Sequence, residues 1–198
     1  MIATHLDKFI IGARTGDLER RLFRENGPMF KWIDRINAET GEAFNEKVAA
    51  RFREIGWQAQ ANLSDGQIFN RKKTQGFGDV DVLAWNEAEG RILVIECKDL
   101  SMDKTIGEIA KRLEKYQGKT NEKGKKDDLK KHLVRCGAIE AEQDRVAAFV
   151  NMEIKQIERV LLFSEPTPLQ YSEITDKHNV ALVTFAEIAE RFGVLPAS

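Results

Sequence analysis

The chain has 198 residues, a length typical of one domain of ordinary size with a small addition. Hydrophobic residues make up 42% of it, which provides for a buried core and excludes an intrinsically disordered chain. The 31 basic and 32 acidic residues give a net charge of -1, which excludes a uniformly basic nucleic-acid-binding protein but not a local basic patch.

Helices and strands alternate along the predicted chain. Helices are predicted over residues 6–24, 29–37, 40–55, 103–117, 127–136, 139–152 and 185–192. Strands are predicted over residues 57–62, 78–85, 91–98, 159–163 and 180–183. Thr40 is expected to cap the third helix, and Thr184 with Glu187 forms a capping box before the last one.

This order of elements predicts an α/β fold in which a mixed central β-sheet is flanked by helices. We assign residues 1–38 to an N-terminal helical extension and residues 39–198 to the main domain. The polar turn NEAEG between the second and third strands indicates a β-hairpin. The stretch GKTNEKGKKDD contains no apolar residue and indicates a mobile loop.

Cysteine, histidine and hydropathy patterns indicate the cellular setting. Two cysteines are too few for a disulfide framework and, with three histidines, argue against a structural zinc site. No segment approaches the roughly 20 apolar residues that span a bilayer, so we expect no membrane partner. Asp7 and Lys8 interrupt the apolar N-terminal stretch, unlike a signal peptide, and we therefore expect a cytoplasmic protein.

The segment GFGDVDVLAWNEAEGRILVIECKDL carries the most chemical information. ILVIEC predicts a strand buried on both faces, and Glu96 and Lys98 close it on one face because they are two residues apart. The preceding strand carries Asp79 and Asp81 with the same spacing, Asp79 being expected to support the site or face solvent. A hairpin would therefore bring carboxylates and an ammonium together at one sheet edge.

Such a cluster is suited to metal-assisted hydrolysis of a phosphodiester. Two carboxylates can bind Mg²⁺, a hard cation that prefers oxygen ligands and keeps several waters. The bound metal lowers the pKa of a water molecule and neutralises charge that develops on the phosphate. An adjacent lysine can position the attacking water or stabilise that charge further.

GDVDVLAW followed by VIECK resembles the PD-(D/E)XK nuclease superfamily, especially its restriction-endonuclease-like and Holliday-resolvase-like branches. The resemblance covers about residues 40–117. It implies a restriction-endonuclease-like core in which Asp81, Glu96 and Lys98 are catalytic. It also implies that Asp81 and Glu96, with the backbone carbonyl of Cys97, bind Mg²⁺ or Mn²⁺. The implied function is a DNA endonuclease in restriction, phage defence or repair.

One accessory position departs from the family pattern. Relatives place a glutamate on the first helix where counting back from Gly56 reaches Asn45. The helical phase places Asn45 beside the core, Glu46 towards solvent and Glu42 between them. We predict that Asn45 hydrogen-bonds a metal-bound water or positions the catalytic glutamate. Glu42 either takes the family role or lies in the first helical turn because the helix dipole favours an acid there.

Two basic clusters flank the predicted site and are candidates for contacting nucleic acid. One comprises Arg71, Lys72 and Lys73. The other comprises Lys119, Lys123, Lys125, Lys126, Lys130, Lys131 and Arg135. Such residues can neutralise phosphates and steer a duplex, and the alternative is that they form solvated surface.

Other functions stay open from the sequence. The fold could serve as a catalytically inactive module that binds nucleic acid or assembles with a larger complex. The chain could also be a nuclease domain from a larger multidomain protein, or act as a homodimer. Nucleic acid is the expected partner, with DNA favoured over RNA.

Overall fold

The computed structural model describes residues 9–10, 12, 23–71, 77–99 and 106–193. The α-helices in chain order are α1 (Pro28–Glu54), α2 (Asp65–Phe69), α3 (Ile106–Glu114), α4 (Asp128–Ala141), α5 (Gln143–Val150), α6 (Ile174–His178) and α7 (Ile188–Phe192). The strands are β1 (Gln58–Leu63), β2 (Val80–Asn86), β3 (Arg91–Lys98), β4 (Gln156–Phe163) and β5 (Ala181–Thr184). Short 3₁₀ segments cover Pro168–Tyr171 and Phe185–Glu187.

The five strands form one mixed sheet in the order β1-β2-β3-β4-β5. β1, β2 and β3 pair antiparallel, whereas β3, β4 and β5 pair parallel. β2 and β3 form the predicted hairpin, in which Asn86 pairs with Arg91 across the turn. The predicted α/β fold with a mixed sheet flanked by helices is confirmed.

β3 lies at the centre of the sheet and is buried from Ile92 to Cys97, as its continuous apolar sequence predicts. On one face of the sheet, Leu83, Ile92 and Val94 join a core cluster with Cys136 of α4 and other residues of α4 and α5. Helix α4 therefore packs over the face of β3 on which alternate side chains lead to Glu96.

The same face continues across β4. Leu161 and Phe163 are buried in a second cluster with Leu129 of α4 and Tyr116, which follows α3. The rings of Tyr116 and Phe163 meet edge to face at 6.0 Å between centroids. Because the last residues of β3 pair with Leu161 and Phe163, this cluster lies beside the end of β3.

Elsewhere, Phe52 of α1 packs on Trp57 and on Phe192 of α7.

The chain divides into two compact units, residues 1–44 and 45–198. The predicted domain boundary between residues 38 and 39 stays a prediction, and it falls inside α1. Most of the helix predicted over residues 6–24 lies outside the described residues. None of the helices in the described part of the chain is both long enough and apolar enough to cross a bilayer.

Two predicted helix breaks are wrong. The segments predicted over residues 29–37 and 40–55 form one continuous helix, α1, which ends at Glu54, so Thr40 lies in its interior rather than at a cap. Helix α4 likewise continues through Gly137. A single glycine costs only about 1 kcal/mol relative to alanine inside a helix, and no proline interrupts either segment, so packing outweighs local propensity. The capping box at Thr184 and the helix that follows it are confirmed.

The stretch predicted as a mobile loop contains a short hairpin turn, and its mobility stays a prediction. Thr120 forms a β-bridge with Lys126, and the Asn121 side chain accepts hydrogen bonds from the N–H groups of Lys123 and Lys125 at 3.1 and 2.9 Å. Polar side chains thus close the turn without any apolar residue, which composition alone does not indicate.

Candidate functional site

The backbone register brings the motif residues together. β2 and β3 pair Val82 with Ile95, and the same antiparallel register continued by one residue places Asp81 opposite Glu96. The Oδ2 of Asp81 accepts a hydrogen bond of 2.8 Å from the N–H of Cys97. The start of β2 and the end of β3 therefore share one edge, as the hairpin predicted.

Glu96 is buried and held by two cations. Only 6% of the residue is exposed. Its Oε1 lies 2.7 Å from the Nζ of Lys98, and its Oε2 forms an ion pair with the Nη1 of Arg135. Burial alone raises the pKa of Glu96, but the charges of Lys98 and Arg135 outweigh it and lower the pKa to about 2. Glu96 is therefore ionised at neutral pH.

Asp81 has the opposite electrostatic balance. Burial raises its pKa, and the neighbouring Glu96 carboxylate raises it further. Lys98 and the hydrogen bond from Cys97 offset only part of this, and the pKa of Asp81 stands at about 6. The two acids differ because the cations lie on Glu96, which leaves Asp81 to bear the repulsion between the two carboxylates.

Helix α4 supplies the other side of the site. The Nδ1 of His132 lies 4.0 Å from the Oε2 of Glu96, and the ring also contacts the Sγ of Cys136, 3.5 Å from its Nε2. Burial lowers the pKa of His132 to about 4, so its ring is neutral at pH 7. Arg135 extends from the same face of α4 to Glu96.

Sequence reasoning missed the role of α4. It placed Arg135 in a surface cluster and gave His132 no role. The helical spacing did carry the signal, since His132 precedes Arg135 by one turn and the buried Ile139 follows it by one turn. A residue between two buried positions at that spacing lies on the inner face of the helix.

The first helix presents the predicted pattern of exposure. Asn45 is buried and Glu46 is exposed, as the helical phase predicted. The Nδ2 of Asn45 donates a hydrogen bond of 2.7 Å to the Oδ1 of Asn62. The β1–β2 register continued through Asn62 places it opposite Asp81, so this contact leads to the neighbour of Asp81 and not to Glu96. Positioning of Glu96 by Asn45 thus finds no direct contact in the structure.

The remaining acidic candidates lie on the surface. Glu42 and Asp79 are both exposed, and the position of Asp79 just before β2 agrees with a supporting or solvent-facing residue. The buried Cys97 is unsuited to nucleophilic attack, because burial and the two nearby carboxylates raise the pKa of its thiol.

The two predicted basic clusters have different surroundings. Arg71 pairs with Glu142 at 2.7 Å and lies over the ring of Phe69, so its charge already has a partner within the protein. Lys72 and Lys73 lie outside the described residues. Lys123, Lys125 and Lys126 of the second cluster are exposed on the hairpin turn, whereas Lys131 is exposed on α4. The side chain of Arg135, by contrast, is mostly buried and pairs with Glu96.

The residues at the end of β3 suit a hard divalent cation. A cation between Asp81 and Glu96 would relieve the repulsion that raises the pKa of Asp81. The N–H of Cys97 points at Asp81, and its carbonyl lies on the same side of the strand because both groups of a strand residue do so. Within the described residues no group of three or more His, Cys, Asp or Glu could hold a metal. The oxygens that a cation could use at this edge would be two carboxylates and a backbone carbonyl, a set that Mg²⁺ accepts when phosphates complete its coordination.

A family model described as "Anti-phage protein Upx-like" matches residues 1–184. The chain belongs to this Upx-like family of anti-phage proteins. The family indicates phage defence, which is one of the roles that the sequence motif left open. No curated protein matches the chain, and no solved structure does.

Proposed function

We propose that this Upx-like protein acts in phage defence as a divalent-metal-dependent nuclease, a DNA endonuclease that hydrolyses phosphodiester bonds. The observation that supports the proposal is the meeting of Asp81, Glu96 and Lys98 at the end of the central buried strand. Two acids and a lysine at one sheet edge form the constellation that phosphodiester hydrolysis needs.

Asp81, Glu96 and the carbonyl of Cys97 would hold the Mg²⁺ or Mn²⁺ ion. When bound, the ion supplies positive charge at the phosphate and lowers the pKa of a coordinated water. The protein's own contribution is to keep Glu96 ionised, with Lys98 and Arg135 paired to its two oxygens before a ligand binds.

Lys98 supplies positive charge beside the reacting phosphate. Burial alone lowers the pKa of Lys98, but the carboxylates of Glu96 and Asp81 raise it above its ordinary value, so the side chain is an ammonium. In hydrolysis a water oxygen bonds to phosphorus while the bond from phosphorus to the leaving sugar oxygen breaks. The water loses one proton and the leaving oxygen gains one. The ammonium stabilises the charge that grows on the phosphate oxygens.

The lysines of the hairpin turn support nucleic acid as the substrate. Lys123, Lys125 and Lys126 are exposed on a turn whose shape is fixed by Asn121. Lysines on an ordered surface can contact phosphates without reading sequence. Phage DNA is the substrate that agrees best with the family and with the motif.

The test is a cleavage assay of the full chain. The purified protein is incubated with supercoiled, linear, single-stranded and branched DNA and with RNA, each with Mg²⁺, Mn²⁺ or EDTA. We expect cleavage of DNA with either metal and none with EDTA. No cleavage of any substrate with either metal would overturn the proposal. A plaque assay extends it to cells, where Glu96→Gln should abolish protection.

A second candidate is a module that binds nucleic acid without cutting it. The observation that favours it is the double ion pair of Glu96, whose two oxygens are already occupied by Lys98 and Arg135. An internal pair of cations can replace a metal and make the cluster purely structural. This candidate predicts nucleic-acid binding in EDTA and phage protection by Glu96→Gln, so the same experiments separate the two.

A further inference from the structure

Arg135 contacts Glu96 with only part of its guanidinium. Its Nη1 pairs with the Oε2 of Glu96. Its Nε is buried and has no hydrogen-bond partner in the structure. The side chain is 12% exposed, so solvent reaches little of it. A buried donor without a partner is unfavourable, and such donors recur where a ligand completes the hydrogen bonding.

The third nitrogen lies beneath a glycine. A Cβ placed on Gly78 would lie 3.2 Å from the Nη2 of Arg135, and Gly78 has a φ of +87°, a conformation that L side chains rarely adopt. Gly78 itself is exposed. At this position only backbone lies over the guanidinium, because glycine has no side chain. This edge of Arg135 is therefore close to the surface.

We propose that Arg135 is a phosphate-binding residue that pairs with Glu96 only while the site is empty. On substrate binding, its guanidinium passes from Glu96 to a phosphate of the nucleic acid, and Glu96 becomes free to bind a divalent cation. This inference rests on the proposed nuclease function and adds to it a residue that contacts substrate.

The chemistry of the side chain favours this exchange. A guanidinium is planar and always charged, and it binds a carboxylate or a phosphate through parallel N–H groups. Phosphate and carboxylate therefore compete for the same donors of Arg135. Lys98 occupies the other carboxylate oxygen of Glu96, so the observed pair uses Nη1 alone and leaves the buried Nε without a partner.

The exchange couples two binding events. A metal ion on Glu96 weakens the Arg135–Glu96 pair, and a phosphate on Arg135 weakens it as well. Each ligand therefore removes an interaction that opposes the other, and the two ligands bind with positive cooperativity. By linkage, nucleic acid should tighten metal binding by the same factor as metal tightens nucleic-acid binding.

The experiment measures binding without catalysis. Mn²⁺ affinity is measured by titration calorimetry without nucleic acid. DNA affinity is measured by fluorescence anisotropy with Ca²⁺ or EDTA. The variants are Arg135→Gln and Arg135→Lys. The control is Arg159→Gln. Arg159 of β4 pairs at 2.8 Å with Glu140 of α4, the helix that also carries Arg135, and it is not part of the site.

For Arg135→Gln we expect Mn²⁺ binding about tenfold tighter and DNA binding about tenfold weaker, with the cooperativity lost. Arg135→Lys keeps the buried charge, and it should fold and retain part of the DNA affinity. The control should keep both affinities. Circular dichroism checks the fold of each variant, and the lysine variant decides the question if the glutamine variant unfolds.

The outcomes separate this inference from the nuclease proposal. Unchanged Mn²⁺ and DNA affinities in the Arg135 variants, together with loss of Mn²⁺ binding in Asp81→Ala, would overturn the role of Arg135 and leave the metal site intact. Absence of Mn²⁺ binding in the parent and in every variant, with and without DNA, would overturn the nuclease proposal and this inference together.

Discussion

The two ends of β3 carry charge clusters of opposite composition. At its N-terminal end one cation, Arg91, pairs with two carboxylates, Glu89 at 2.7 Å and Glu158 at 2.8 Å. At its C-terminal end one carboxylate, Glu96, pairs with two cations. The first cluster is partly exposed, with side chains 23 to 41% accessible, whereas the Glu96 side chain is only 9% exposed.

The difference lies in what each cluster leaves unsatisfied. Arg91 also lies over the Trp57 ring at 5.3 Å, and burial, which lowers its pKa, is outweighed by its two acidic partners, which raise it. At the other end a second acid, Asp81, has a raised pKa, and Arg135 keeps a buried donor without a partner. Conflict of this kind is typical of sites that complete their interactions with a ligand. The N-terminal cluster is therefore a control for the C-terminal one.

The largest expected effect comes from removing Asp81. Asp81→Ala should lose metal binding and reduce cleavage to the background, because it removes one of the two proposed carboxylate ligands. Metal binding is measured by titration calorimetry and cleavage by the conversion of supercoiled DNA. Cleavage at the parental rate by a folded Asp81→Ala protein would show that the metal is not held here.

The second prediction distinguishes a charge that acts in the reaction from a charge that only stabilises the fold. Lys98→Ala should keep most of its metal binding and lose about 10²- to 10³-fold in cleavage rate, since the ammonium acts mainly on charge that develops during the reaction. Arg91→Ala removes the cation at the other end of the strand and should lower stability without changing the rate. Equal rate losses in both variants would mean that Lys98 has only a structural role.

The third effect concerns affinity. Replacing Lys123, Lys125 and Lys126 with alanine should weaken DNA binding to all sequences alike and reduce the slope of log K against log salt by about one unit for each lost phosphate contact. Lys155→Ala, an exposed lysine beside the N-terminal cluster, is the control. An unchanged slope in the triple variant would show that the hairpin turn is only solvated surface.

The fourth effect is smaller and concerns the contact behind Asp81. Asn45→Ala removes the hydrogen bond to Asn62, which lies opposite Asp81, and should slow cleavage by about tenfold or less. Glu46→Ala should have no effect, since Glu46 is exposed. Glu42→Ala tests the other position for the first-helix acid that the nuclease resemblance implies. A large loss of cleavage rate in this variant would assign that role to Glu42.

The smallest effect is on stability. The pKa of Asp81 rises from an ordinary 3.8 to about 6 on folding, so the folded protein binds its proton more tightly and loses stability as pH rises from about 4 to 6. At pH 7 the free energy of unfolding of Asp81→Asn, measured by denaturant titration, should therefore exceed that of the parent by about 1 to 3 kcal/mol. This difference should disappear below pH 4. A variant less stable than the parent at pH 7 would contradict the charge conflict.

The motif and its sheet were predictable because they depend on local alternation. The apolar run of β3 and the two-residue spacing of Glu96 and Lys98 fix strand and face together, and the short polar turn fixes the hairpin that brings Asp81 to them. The resemblance to the PD-(D/E)XK superfamily then suggested the nuclease chemistry, which stays a prediction.

What the sequence did not yield depends on contacts between distant segments. Arg135 is separated from Glu96 by 39 positions, and within a run of lysines it looks like one more surface charge. Only the packing of α4 on β3 turns it inward. The continuity of α1 through Gly41 also depends on packing, which outweighs a modest local penalty.

The most direct measurement compares Glu96→Gln with Glu158→Gln in one cleavage assay with Mg²⁺ and with EDTA. Each substitution neutralises a carboxylate that pairs with a cation of β3. Glu158 pairs with Arg91 at the N-terminal end of the strand, and Glu96 pairs with Lys98 at the C-terminal end. We predict that Glu158→Gln cuts DNA at the parental rate with Mg²⁺ and that Glu96→Gln does not cut. Cleavage by Glu96→Gln at the parental rate, or cleavage by the parent in EDTA, would contradict it.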